Sequence, residues 1–192
     1  AGDQPAAGQG TLGVEMLMQL PEADTLVVPL SGGGLIAGVA MAAKTMKPQI
    51  RIVGVSMRRG AAMHDSLVAG RPVAVEELPT LADSLGGGIG LDNRHTYAMV
   101  QALVDDVILV DESEIAEAIR HAYLEERQIV EGGGAVPIAA LLQAPRPSWG
   151  TAILLLSGGN IDMALHRRIV QGENPDLLAE RQARAAEERR HA

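Results

Sequence analysis

Apolar and polar positions are arranged along this chain in two ways. Four short runs are apolar almost throughout: residues 25–30, 51–56, 106–110 and 151–156. Runs of this length, rich in Val, Ile and Leu, predict strands buried on both faces, as in a parallel sheet. Other segments repeat apolar residues at helical spacing. Leu12, Met16 and Leu20 are four apart and predict a helix over 12–20. An Ala- and Met-rich helix is predicted over 35–46, stopping before Pro48. The clearest helix is 115–129, with Ile115, Ile119, Ala122 and Tyr123 on one face. Asp111 and Glu114 open it with a capping-box pattern, which satisfies amides that have no helical acceptor. A further helix is predicted over 161–170. Strands alternating with helices predict an α/β fold, a parallel sheet with helices on both faces.

Two stretches fall outside this rhythm. Residues 60–94 carry Pro72, Pro79 and the glycines Gly86, Gly87, Gly88 and Gly90, and are expected to be irregular. Residues 176–192 mix acidic and basic side chains with alanines, which predicts an exposed helix or a disordered end. There is no internal repeat of 20–50 residues.

Composition narrows the classes. Of the 192 residues 47% are apolar, enough for a real core, but there is no Phe, so Leu, Val, Ile, Ala and Met must build it. The eight Met residues are read as core filler. A net charge of −8 argues against a general nucleic-acid binder, which would show a basic patch. The absence of cysteine excludes disulfides, thiolate metal sites and a thiol nucleophile. No apolar run approaches the roughly 20 residues that span a bilayer. The first residues, Ala1 to Pro5, lack the basic and apolar segments of a signal peptide. The expected setting is soluble and cytoplasmic.

The candidate chemistry lies in glycine-rich loops. Ser31-Gly32-Gly33-Gly34-Leu35 joins the first strand to an Ala-rich helix. Glycines there allow a sharp turn and close approach of a ligand. The helix start offers free amides and partial positive charge, which suit a phosphate, and Ser31 adds a hydroxyl donor. A tight turn with no ligand accounts for such a loop equally well. The pattern is neither GxGxxG nor the P-loop GxxxxGK[ST], so neither dinucleotide nor nucleoside-triphosphate chemistry is favoured. Ser157-Gly158-Gly159-Asn160 follows the fourth strand, where the Ser157 hydroxyl can face the same crevice and Asn160 can cap the next helix. Ala82 to Gly90 reads as backbone approaching a ligand, a hinge, or a plain surface loop. In Glu131-Gly132-Gly133-Gly134-Ala135, Gly132 is read as the C-cap of the preceding helix, and Glu131 as a solvated carboxylate rather than a crevice residue. Trp149 is expected to pack in its Pro-rich loop. The histidines at 64, 95, 121, 166 and 191 show no metal-ligand spacing.

Taken in order, Gly8-Gln9-Gly10-Thr11, Ser31-Gly32-Gly33-Gly34-Leu35, Ala82-Asp83-Ser84, Glu131-Gly132-Gly133-Gly134-Ala135 and Ser157-Gly158-Gly159-Asn160 resemble the serine/threonine dehydratase family of fold-type II pyridoxal-phosphate (PLP) enzymes. The likeness runs from about residue 5 to about 172. Gly54-Val55-Ser56-Met57, Gly60-Ala61-Ala62-Met63-His64 and the stretch from Ser84 to Arg94 look most like hydroxyectoine-utilization dehydratases within it.

The resemblance implies a tryptophan synthase β-like fold, of which this chain carries part. Residues 1–50 and 150–172, with roughly 95–149, would belong to the large cofactor-binding domain. Residues 51–94 would link to a second lobe, and 173–192 would be a charged tail. Ser31 and the amides of Gly32, Gly33, Gly34 and Leu35 would hold the PLP phosphate. Ser157 would hydrogen-bond the pyridine nitrogen. A neutral hydroxyl does not force protonation there, and the milder electron sink favours elimination of a β-hydroxyl over transamination. The substrate would be a small hydroxy amino acid, released as a 2-oxo acid and ammonia. Some relatives bind a divalent cation beyond the second strand. Here that strand is followed by Met57, Arg58, Arg59, Gly60, Ala61 and Ala62, with no acidic ligand, so no metal is expected.

The lysine that holds the cofactor lies, in the family, in a Ser-Phe-Lys type motif of the N-terminal half, and no such motif occurs in this sequence. The lysines here are Lys44 and Lys47. About ten residues of helix would place Lys44 roughly 15 Å from the phosphate turn, too far to substitute. The chain alone is therefore expected to be inactive, and to form a homo-oligomer or associate with an N-terminal half. The competing expectation is a non-catalytic α/β module that binds a small phosphorylated ligand or a partner chain.

Overall fold

The computed structural model describes residues 3–93, 95–143 and 148–191. Arg94, the last residue of the Ser84–Arg94 stretch, lies outside them. The four apolar runs are the four strands: β1 (Thr25–Pro29), β2 (Arg51–Met57), β3 (Asp106–Val110) and β4 (Ala152–Leu154). They form one sheet in the order β3-β2-β1-β4, every pair parallel. Val27 stands opposite both Val53 and Leu154. The helices among the described residues are α1 (Asp3–Gln19), α2 (Gly34–Met46), α3 (Ala62–Ala69), α4 (Thr96–Leu103), α5 (Glu112–Leu124), α6 (Gly132–Leu142), α7 (Met163–Val170) and α8 (Leu177–His191).

Side chains alternate across a strand, so each strand serves two cores. Leu26, Val28 and Leu30 face α1 and α2 and pack with Met16, Ile36 and Val39. Val27, Val53, Val55 and Met57 face the other way and pack with Ile115 and Ile119 of α5 and Val136 and Ala139 of α6. Full burial of one such aliphatic side chain contributes roughly 1.5–3 kcal/mol. The parallel sheet is thus covered on both faces, as its near-continuous apolar strands require. Helix α1 lies close against α2, where a Cβ on Gly13 would come within 2.6 Å of the Val39 carbonyl oxygen.

Several local expectations change. Helix α5 ends at Leu124, not 129, and Arg127 adopts φ 56° just beyond it. At its start, the Glu114 carboxylate accepts the Asp111 amide at 2.6 Å, as the capping pattern requires. Tyr123 is 41% exposed rather than buried with Ile115 and Ile119, and it meets His166 edge-to-face. Gly132 does not end a helix; it begins α6, with Glu131 as N-cap. Asn160 does not cap α7; Asp162 does, accepting the Leu165 amide at 2.8 Å. The methionines divide: Met16, Met57 and Met63 are buried, while Met18, Met41, Met46 and Met163 are exposed. Trp149 is buried, and its carbonyl accepts the Thr25 hydroxyl at 2.7 Å.

Residues 51–94 contribute β2 to the sheet, then α3 and a short 3₁₀ turn at Asp83–Leu85. The charged tail is the helix α8. Asp176 fastens it, accepting the Leu178 and Ala179 amides and a two-pronged contact from Arg59 at 2.9 Å on each arm. The Arg59 guanidinium holds the Asp176 carboxyl down at about 2.

His166 is buried, and its Nε2 has no hydrogen-bond partner among the described residues. Burial pushes the ring below the ordinary histidine value, so the folded chain favours the neutral form. Above about pH 6.5 the ring is neutral in both states. As pH falls through that value the unfolded chain takes up a proton that the folded chain does not, and stability drops. His166→Leu should therefore flatten the decline in melting temperature between pH 7 and pH 5. Parallel profiles for variant and wild type would show that His166 is not the group responsible.

Candidate cofactor site

All six residues singled out for the cofactor line one cleft at the carboxyl ends of β1 and β4. Ser31, Gly32, Gly33, Gly34 and Leu35 form one wall, Ser84 and Leu85 another, and Glu131, Gly133, Ser157 and Gly158 a third, around about 280 Å³. A larger cleft of about 540 Å³ adjoins it and shares Glu131.

The first wall is the turn from β1 into α2. Gly33 is the N-cap of α2 at φ 89°. A Cβ there would lie 2.9 Å from both Met63 Cε and Val100 Cγ2, so glycine is required twice, by conformation and by space. Gly32 and Gly34 differ. A Cβ on either would meet no protein atom within 4 Å, and both line the cleft. The first helical bond runs from the Ala37 amide to the Gly33 carbonyl at 2.9 Å. The amides of Gly34, Leu35 and Ile36 precede it and have no helical acceptor. Open space beside small residues, faced by free amides and the positive end of a helix, fits a phosphate group.

Ser31 lines the cleft, and its hydroxyl also has a protein partner. It donates to the Leu85 carbonyl at 3.0 Å, tying the phosphate turn to the second wall. Ser157 lies beyond β4, and its hydroxyl makes no hydrogen bond among the described residues. It remains available to a ligand.

The third wall includes residues whose part the sequence reading missed. Glu131 is half-buried and lines the crevice instead of standing in solvent. Its Oε2 accepts the Asn160 amide at 2.9 Å, and its own amide donates to the Gly158 carbonyl at 3.2 Å. Gly158, at φ 82°, passes so close that a Cβ would lie 2.6 Å from Glu131 Oε1. Glu131 thus braces the turn that presents Ser157. The signal was the Glu131 to Ala135 motif, but its glycines serve packing, not a helix end.

Both lysines are occupied at the opposite edge of the sheet. Lys44 Nζ pairs with Asp105, just before β3, at 2.8 Å. Lys47 Nζ donates to the Ala23 carbonyl, just before β1, at 2.6 Å. Neither side chain reaches the cleft at the strands' carboxyl ends. Among the described residues, no group of three or more His, Asp and Glu side chains is arranged to hold a metal ion.

The two kinds of glycine in the turn make a direct prediction. Gly33→Ala should cost about 2–4 kcal/mol in urea unfolding, from a left-handed backbone together with overpacking. Gly32→Ala, with open space for its methyl group, should leave the unfolding midpoint nearly unchanged. Equal losses in the two variants would contradict the geometry.

Comparison with known proteins identifies the family. The family described as "Pyridoxal-phosphate dependent enzyme" matches residues 3–158. A Sinorhizobium fredii protein that carries a threonine dehydratase name is 56% identical over 167 residues, covering 86% of this chain and 50% of that protein. An L-threonine ammonia-lyase of Thermotoga maritima is 39% identical over 164 residues, covering 85% of this chain and 40% of that protein. The structure of maize serine racemase superposes with a TM-score of 0.75 at 38% identity, over 84% of this chain and 50% of that one. The chain thus spans half or less of the length of these relatives. With a match over most of its residues, the chain belongs to the pyridoxal-phosphate dependent enzyme family.

Proposed function

We propose that this chain is the phosphate- and ring-binding portion of a PLP-dependent hydroxy-amino-acid dehydratase of the threonine/serine ammonia-lyase type. The overall reaction is loss of water from a β-hydroxy amino acid, followed by release of ammonia and a 2-oxo acid. The observation that carries the proposal is the turn at the head of α2, where Gly32 and Gly34 face open space and the first helical amides lack acceptors. The names of the Sinorhizobium and Thermotoga relatives support the reaction class.

When bound, PLP supplies an electron sink for the pair left at Cα after its proton is removed. This chain's residues bind and orient. The amides of Gly32, Gly33, Gly34 and Leu35 hold the phosphate, with the α2 dipole favouring its charge. Ser31 fixes the turn through Leu85. Ser157 offers its hydroxyl to the ring nitrogen, held in place by Glu131 through the Gly158–Asn160 turn. The proton at Cα needs a base, and neither Lys44 nor Lys47 stands near enough to serve. The base and cofactor-holding lysine are therefore assigned to an N-terminal half outside these residues, and the assembled enzyme, as a homo-oligomer or with that half, is placed in the cytoplasm. A substrate derived from hydroxyectoine belongs to the same reaction class and is supported by the likeness of Gly54–Met57, Gly60–His64 and Ser84–Arg94 to hydroxyectoine-utilization dehydratases.

Equilibrium dialysis tests the assignment. The chain should retain PLP at least about tenfold more tightly than pyridoxal, which lacks the phosphate; that ratio is about 1.4 kcal/mol. Inorganic phosphate should compete. Incubated alone with threonine or serine and PLP, the chain should release no ammonia. Equal retention of PLP and pyridoxal would refute the phosphate site, and ammonia release by the chain alone would refute the need for a second half.

A further inference from the structure

The Ala82-Asp83-Ser84 motif stands on the second wall of the cleft and takes no part in the binding roles above. Ser84 and Leu85 line the cleft, and the Leu85 carbonyl holds the Ser31 hydroxyl at 3.0 Å. The position of this wall therefore sets the position of the turn, and the wall is itself held from one side by a single carboxylate. Glu112, in the first turn of α5, accepts the Thr80 hydroxyl through Oε1 at 2.6 Å and the Leu81 amide through Oε2 at 2.7 Å. Thr80 Oγ1 in turn accepts the Ala82 amide at 3.1 Å. Thr80, Leu81 and Ala82 are all buried, so these donors have no water to turn to. From Ala82 the chain enters the 3₁₀ turn, closed by the Leu85 amide on the Ala82 carbonyl at 2.9 Å.

Resting on the reading of the Ser31–Leu35 turn as the phosphate site, we propose that Glu112 is a positioning residue for cofactor binding: it anchors the Thr80–Leu85 strap, whose far end holds Ser31 and hence the turn. Glu112 lines neither the phosphate cleft nor the larger cleft beside it and acts only through the strap. A carboxylate suits the task because its two oxygens accept from a hydroxyl and an amide on consecutive residues, each by a charge-assisted bond. The same helix carries a natural control. Glu114 caps α5 through the Asp111 amide, and among the described residues no hydrogen bond joins its side chain to the strap.

The test compares Glu112→Ala, Glu112→Gln and Glu114→Ala in the full 192-residue chain. Three readouts are used beside melting temperature: amide exchange and amide resonances of the ligand-free chain, and PLP affinity by dialysis. Both alanine variants should lower the melting temperature. Glu112→Ala alone should speed exchange at residues 81–85, shift the amide resonances of residues 31–35, and weaken PLP binding about tenfold, from the loss of an acceptor for two buried donors. Glu112→Gln keeps one acceptor oxygen and should fall between it and the wild type. The proposal is overturned if Glu112→Ala and Glu114→Ala match at these amides, or if the strap loosens in Glu112→Ala with PLP affinity unchanged. A wild-type chain that retains no PLP refutes the phosphate reading instead, and the exchange comparison still decides whether Glu112 sets the turn.

Discussion

The walls of the cleft are brought together by the start of α6, where three consecutive glycines lie against neighbouring segments. A Cβ on Gly132 would come within 2.0 Å of the Leu81 carbonyl oxygen, and one on Gly133 within 2.2 Å of Ser84 Oγ. A Cβ on Gly134 would come within 1.8 Å of the Ser157 carbonyl oxygen. No side chain can occupy these places without moving the strap or the turn that carries Ser157. Two walls are thus set by their distance from one helix, and the third, the Ser31–Leu35 turn, is joined to them by the Ser31–Leu85 hydrogen bond. The conformational cost of glycine in a helix, about 1 kcal/mol each, is offset by this packing.

That arrangement explains which parts of the fold were legible in the sequence. The strands were, because a parallel strand covered on both faces has to be apolar along its whole length. Helix α5 was, because only one of its faces is buried and its start carries Asp111 and Glu114. Helix α6 was not. It opens with three glycines, contains Pro137 and is buried along most of its length, so it shows neither helix-forming composition nor an apolar stripe. Its helical state comes from tertiary contact. Reading Gly132 as a helix end followed from local propensity, and the neighbours at Leu81 override that propensity.

The site was legible to a similar depth. The turn from Ser31 to Leu35 stood out because glycines before a helix have a chemical use at the carboxyl edge of a sheet, while Ser157 was singled out through the family resemblance; the structure places both on one cleft. The supporting carboxylates could not. In the sequence Glu131 looks like a solvated carboxylate at a helix end and Glu112 like an ordinary helix-start acid, and their importance arises only when residues 80–82 and 158–160 arrive from distant parts of the chain. Ser31, read as a ligand donor, lines the cleft and also lies within hydrogen-bond distance of the Leu85 carbonyl, a tie that the sequence does not announce. Residue types point to residues that line the cleft, and only coordinates reveal what holds those residues in place.

The central claim is that the head of α2 is an anion site built from backbone amides. Titration of the isotopically labelled chain with inorganic phosphate, followed by amide resonances, tests it most directly. The account predicts saturable shifts concentrated at Gly32, Gly33, Gly34 and Leu35. No saturable shift there, or shifts confined to the arginines of α8, would contradict it.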